Sequence, residues 1–145
     1  MNKEINIVTL SRNNVRHYSG SRPYVLISIV DPELPWAEWN KPNTLLSSMQ
    51  MSFHDVDREV LDYPGLQMMT EEQAKAIASF VIAYIDKVDT IVVHCEAGLS
   101  RSAGVSMAIA YWLRQNTSQW PLANRHVYRL VAKQLMEQYD GRYNK

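Results

Sequence analysis

The stretch Thr90-Ile91-Val92-Val93-His94-Cys95-Glu96-Ala97-Gly98-Leu99-Ser100-Arg101-Ser102 decides how the rest of the chain is read. Its opening residues, Thr90 to His94, are mostly β-branched and apolar, the composition of a short buried strand. From residue 101 to 115 the pattern is helical, and the nearly all-apolar run from Ala103 to Leu113 predicts a central, buried helix. Between strand and helix lies a loop, 95–100, tight enough to need Gly98. A strand, short loop and helix in this order can turn successive backbone N–H groups inward as an anion nest. The helix dipole adds partial positive charge at the same place.

Working outward, residues 5–10 read as a short strand, and the polar stretch 11–22 holds a short helix after Ser11. Residues 24–30 (Tyr-Val-Leu-Ile-Ser-Ile-Val) are β-branched and continuous enough to predict a buried strand. Pro32, Pro35 and Pro42 make 31–43 a loop, and 45–53 reads as a further strand ending in Phe53. Residues 54–69 are irregular, with a turn at Pro64-Gly65. Thr70 and Gln73 then fit a capping box, followed by Ala74, Ile77, Ala78, Val81, Ile82 and Ile85 at helical spacing. Asn124 is placed to cap a last helix that turns Val127, Leu130, Val131 and Leu135 inward. Strands alternating with helices predict an α/β fold with a mainly parallel central sheet flanked by helices. Ligands of such sheets sit beyond the carboxyl ends of the strands, where loop 95–100 falls.

A chain of 145 residues suffices for one domain with a full core, so residues 1–145 are expected to form a single domain. Composition is that of a soluble globular protein, 46% hydrophobic and 21% charged. No apolar run approaches the roughly 20 residues of a membrane span, so no membrane partner is expected. The absence of a leader-like segment after Met1 points to the cytoplasm. Lys and Arg number 15 and Asp and Glu 15, without the basic excess of a nucleic-acid binder. The one cysteine excludes an internal disulfide, and its neighbours must decide whether it is a buried hydrophobe or a reactive thiol.

Those neighbours favour reactivity. Arg101, in the first helical turn, carries a permanently charged planar fork that matches two oxygens of a phosphate. Backbone amides of Glu96, Ala97, Gly98, Leu99, Ser100 and Arg101 would bind the phosphate, with Arg101 as clamp. Cys95 then lies at the base, where the amides, the dipole and the Arg101 charge favour a thiolate in line with phosphorus. The Ser102 hydroxyl is placed to donate to that sulfur, and His94 to orient the loop through its ring. His17, His54 and His126 show no metal-ligand spacing, and neither a metal nor a cofactor is expected. Trp36 and Trp39 are read as covers of a core edge or part of a substrate rim, and Arg12, Arg16 and Arg22 as solvated surface. Trp112 and Met107 are assigned to the core.

The pattern His94-Cys95-x5-Arg101-Ser102 resembles the signature of the protein tyrosine phosphatase superfamily, and its form here is most similar to compact dual-specificity-like members. The resemblance implies the phosphotyrosine phosphatase-like fold and hydrolysis of phosphate monoesters through a phosphocysteine intermediate. It also implies an aspartic acid on an upstream loop that protonates the leaving oxygen. The candidates are Asp55, Asp57 and Asp62. Phe53-His54-Asp55 is similar to the Phe-Asp-Asp form of some compact members and favours Asp55. Asp62, 95 − 62 = 33 residues before the cysteine, suits the family spacing better.

The expected substrates are phosphorylated proteins, phosphotyrosine first and phosphoserine or phosphothreonine as well where the pocket is shallow, or small phosphomonoesters. Loop 95–100 has no Lys or Arg to meet further phosphates, and Glu96 would repel them. The rival readings are a rhodanese-like sulfurtransferase, an arsenate reductase, which would need further cysteines, and a catalytically silent phosphate-binding module.

Overall fold

The computed structural model describes residues 4–58 and 64–139. In chain order its elements are β1 (Asn6–Leu10), α1 (Arg12–Val15), β2 (Tyr24–Val30), β3 (Leu45–Ser52), α2 (Glu71–Tyr84), β4 (Thr90–His94), α3 (Arg101–Trp112) and α4 (Arg125–Tyr139). The strands lie in the order β1-β4-β2-β3, and every neighbouring pair is parallel. The expected mainly parallel sheet is thus wholly parallel among the described residues. All strand carboxyl ends lie at one edge, and β4 sits between β1 and β2.

Alternation along the strands sorts side chains between two unequal layers. Val25, Ile27, Ile29, Ile91 and Val93 join one large core with residues of α2, α3 and α4. Tyr24, Leu26 and Val92 face the other way, onto Val15 of α1, and Trp39 of the 31–43 loop packs against that cluster. The long helices therefore cover one face, and a single helical turn with the proline-rich loop covers the other. β2 is buried along its whole length, as its largely apolar sequence demands, whereas edge strand β3 is mostly half-buried or exposed.

Helix boundaries follow local chemistry. Thr70 Oγ1 accepts from Gln73 N–H at 3.1 Å while Gln73 Oε1 accepts from Thr70 N–H at 3.0 Å, so the capping box closes in both directions. Asn124 Oδ1 accepts from Val127 N–H at 3.0 Å and caps α4 as expected. Helix α3 stops at Trp112, three residues short of the expected 115, where Arg114 takes φ 60°. Trp112 and Met107 are buried. Gly104 brings α3 and the start of α4 together: a Cβ there would lie 2.8 Å from Asn124 O and 3.0 Å from the Val127 side chain. That close approach seats the α4 N-terminus over the start of α3.

Candidate functional site

Loop 95–100 leaves the carboxyl end of β4 at the middle of the sheet and enters α3. Gly98 adopts φ 77°, and a Cβ on it would meet Leu10 C and Ser11 N at 2.7 Å. Both are main-chain atoms at the end of β1, so only glycine lets the loop turn this tightly against its neighbouring strand. The loop is tied to that strand by Cys95 N–H donating to Leu10 O at 3.3 Å and Arg12 N–H donating to Glu96 O at 3.1 Å.

Cys95 is buried under this turn. Its Sγ accepts the Gly98 N–H at 3.2 Å and lies 3.1 Å from Ser102 Oγ. Two donors can therefore converge on the sulfur: the Gly98 amide and, in the first turn of α3, the Ser102 hydroxyl. His94 stands behind it, fully buried. Its Nδ1 lies 3.2 Å from Cys95 O and its Nε2 2.6 Å from Ser28 Oγ. A carbonyl only accepts, so Nδ1 carries the proton and Nε2 accepts from the Ser28 hydroxyl. Burial holds the His94 ring below the usual imidazole range, in keeping with this neutral tautomer. The Ser28 partnership comes from the sheet register, which sets Ser28 directly opposite His94.

Arg101 is 5% exposed and is held by two acceptors. Its Nη1 donates to Phe53 O at 2.6 Å and pairs with Asp31 Oδ1 at 2.7 Å, so Nη1 is engaged by residues just past the ends of β2 and β3. Nε has no partner. This anchoring fixes the plane of the guanidinium and reserves its Nε/Nη2 edge, the fork that matches an oxyanion.

Asp55 reaches the rim of the loop. Its Oδ1 accepts from Ser100 Oγ at 2.8 Å and from Asn124 Nδ2 at 2.9 Å. Asp57 is exposed and lines, with Asp55, Ser100, Leu122, Ala123 and Asn124, a hollow of about 240 Å³ beside the loop. Asp62 lies outside the described residues. The structure thus gathers His94, Cys95, Gly98, Ser100, Arg101, Ser102 and Asp55 at one sheet edge. Ala97 and Leu99 belong to the same loop, and the Leu99 side chain is exposed.

One expectation for the surroundings is corrected, and two residues gain definite partners. Arg12 is not plain solvated surface: it pairs with Glu96 at 3.1 Å and donates to Pro35 O and Trp36 O at 2.6 and 3.1 Å. The same pair balances the Glu96 charge that the sequence left facing the ligand. The two loop tryptophans divide, Trp39 packing near His94 with ring centroids 6.4 Å apart and Trp36 exposed near Arg12. His54 Nε2 meets Glu33 Oε1 at 2.8 Å, and its Nδ1 accepts from Gln67 N–H at 2.9 Å. Sequence reasoning missed Asp31, Ser28 and the Asn124 side chain as members of the site. Asp31 follows a largely apolar strand and precedes Pro32, a weak hint of a carboxylate at the sheet's carboxyl edge.

Among the described residues, no group of three or more His, Cys, Asp or Glu side chains is gathered to hold a metal ion. Nor is any helix among them long and apolar enough to cross a membrane.

No family model matches this sequence, and no curated protein matches it. Solved structures do. The crystal structure of Tk-PTP in the active form is similar with a TM-score of 0.50 and 16% identity, over 89% of each chain. That of PTPMT1 in complex with PI(5)P aligns with a TM-score of 0.47 and 14% identity, over 80% of this chain and 78% of the other. Through the first of these, the parallel sheet with its loop at the carboxyl edge of β4 has the fold of a protein tyrosine phosphatase.

Proposed function

We propose that the chain is a cysteine-dependent phosphatase, hydrolysing phosphate monoesters through a phosphocysteine intermediate. The observation that carries this reading is the surroundings of Cys95 Sγ. Two donors can point at it, in a loop whose next helical residue is an arginine anchored through Nη1 alone. A buried structural cysteine has no use for that arrangement, and a nucleophile does.

In the first step the Cys95 thiolate attacks phosphorus and an S–P bond forms as the P–O bond to the leaving group breaks. The Arg101 fork and the loop amides hold the equatorial oxygens, where charge spreads in the transition state. Asp55 passes its proton to the departing oxygen. In the second step water attacks phosphorus, its proton goes to the Asp55 carboxylate, and the S–P bond breaks. The Ser102 hydroxyl, 3.1 Å from the sulfur, then stabilises the thiolate as it leaves. Asp55 is preferred over Asp57 because its carboxylate is hydrogen-bonded to the phosphate loop itself.

A phosphoprotein, phosphotyrosine first, is the favoured substrate class. Loop 95–100 offers no lysine or arginine side chain to a second or third phosphate, and Arg12 is engaged by Glu96.

The test is hydrolysis of para-nitrophenyl phosphate by the wild type and by Cys95→Ser, with chelator, from pH 5 to 8. Wild-type activity that survives chelator and is lost in the variant is expected. A folded, reduced wild type without activity would replace this reading with a phosphate-binding module or a sulfurtransferase.

A further inference from the structure

We infer that Asn124 is a positioning residue for Asp55, and that with Ser100 it selects which carboxyl oxygen carries the transferable proton. The inference rests on the reading of Asp55 as the general acid.

Asn124 is 4% exposed, and both its side-chain nitrogen and its side-chain oxygen are hydrogen-bonded. Oδ1 accepts from Val127 N–H at 3.0 Å. Nδ2 donates one proton to Asp55 Oδ1 at 2.9 Å and the other to Val56 O at 3.2 Å. The amide cannot be reversed, because a flip would set its oxygen against a carboxylate and a carbonyl and its NH₂ against an N–H. Its backbone joins the same network, with Asn124 N–H donating to Ser100 O at 2.9 Å. One residue therefore ties the α4 N-terminus, the phosphate loop and the acid-bearing segment together.

The consequence lies in the two carboxyl oxygens. Ser100 Oγ and Asn124 Nδ2 both donate to Oδ1 of Asp55, at 2.8 and 2.9 Å. An oxygen that accepts two hydrogen bonds is the carbonyl-like oxygen of a protonated acid. The proton is then carried by Oδ2, which neither donor touches. Fixing Oδ1 also fixes the rotation of the carboxyl group, so the Oδ2–H direction is set before substrate arrives. Ser100 belongs to the loop that would hold the phosphate, so the acid and the phosphate share one frame.

An N-cap needs only an acceptor, and serine serves as well as asparagine there. Asn124→Ser therefore keeps the cap and removes the Nδ2 donor. Single-turnover rates would be measured for two esters of unequal leaving-group acidity, phenyl phosphate and para-nitrophenyl phosphate. The poor leaving group depends on the acid far more than the good one. Asn124→Ser is expected to slow phenyl phosphate by roughly 10-fold to 100-fold, a part of the ~10²–10⁴ that a positioned acid supplies, and to slow the nitrophenyl ester several-fold less. In an Asp55→Asn background the same substitution should add little, since the group it positions is already gone. Equal slowing of both esters, or full additivity with Asp55→Asn, would overturn the inference and leave Asn124 as a cap alone. Should Asn124→Ser not fold, Asn124→Thr is read by the same criteria. A wild type whose phenyl phosphate hydrolysis depends on Cys95 but is indifferent to Asp55→Asn would remove Asp55 as the acid, and the inference with it. Activity that persists in Cys95→Ser would instead overturn the phosphatase reading on which both stand.

Discussion

Gly98→Ala perturbs the site at its most constrained atom. The residue adopts φ 77°, where an L side chain costs about 1–2 kcal/mol. The added methyl would meet Leu10 C and Ser11 N at 2.7 Å and Leu10 O at 2.9 Å, whereas ordinary contact begins at 3.4 Å. Those atoms cannot yield cheaply, because β1 is held in register against β4 from Asn6↔Thr90 to Leu10↔His94. Overpacking of this kind adds about 1–3 kcal/mol when nothing moves. The sum, about 2–5 kcal/mol, is an upper bound that the loop can lower by lifting away from β1. Lifting breaks the 3.2 Å bond from Gly98 N–H to Cys95 Sγ and shifts the amides that would hold phosphate. Misplacement by about 1 Å can cost ~10²-fold in rate. The assay pairs urea unfolding, which needs no assumption about function, with turnover of para-nitrophenyl phosphate. The variant should lose at least ~1 kcal/mol of stability, or at least ~10-fold of activity if the loop relaxes. Stability within ~0.5 kcal/mol of wild type together with undiminished turnover would refute the reasoning, because neither strain nor displacement would then exist.

Two further predictions concern the groups behind the loop. Asp31→Asn exchanges the ion pair at Arg101 Nη1 for a contact to an uncharged amide, a difference of about 1 kcal/mol, and should weaken competitive inhibition by inorganic phosphate roughly 5-fold. Phosphate binding as tight as in the wild type would show that Phe53 O alone fixes the guanidinium. His94 is held below its ordinary imidazole range by burial, so the unfolded chain takes up a proton more readily than the folded one. The stability this residue contributes is complete above the unfolded value of about 6.5 and is lost as pH falls from there through the depressed folded value. Urea midpoints measured from pH 8 to 5 should therefore decline on the acid side, and the decline should shrink in His94→Gln. An equal slope in both proteins would assign it to other groups.

Much of this molecule is written in short segments, because the forces that shape them are local. The stretch Tyr24 to Val30, apolar but for Ser28, is a buried parallel strand because a strand covered on both faces hides every residue in it. Thr70 and Gln73 close a capping box from positions three apart, and Asn124 caps the helix that begins beside it. The loop's shape was legible for the same reason: Cys95, Gly98, Arg101 and Ser102 lie within eight residues, and the strand and helix on either side dictate how they turn.

What only the tertiary structure decided is the set of partners brought in from afar. Ser28 meets His94 across 66 positions because β2 and β4 are neighbours in a particular register. Asp31 meets Arg101 because parallel strands deliver all their carboxyl ends to one edge. Three aspartates were open to the sequence. Asp55 stands apart from Asp57 through hydrogen bonds to Ser100, 45 positions away, and to Asn124, 69 positions away. The Asn124 contact also needs α4 to approach α3 at Gly104, a distance no spacing rule encodes. A periodic pattern states which face of an element is apolar. It does not state which element will lie against that face, and the polar side chains that complete a site are chosen by that second fact.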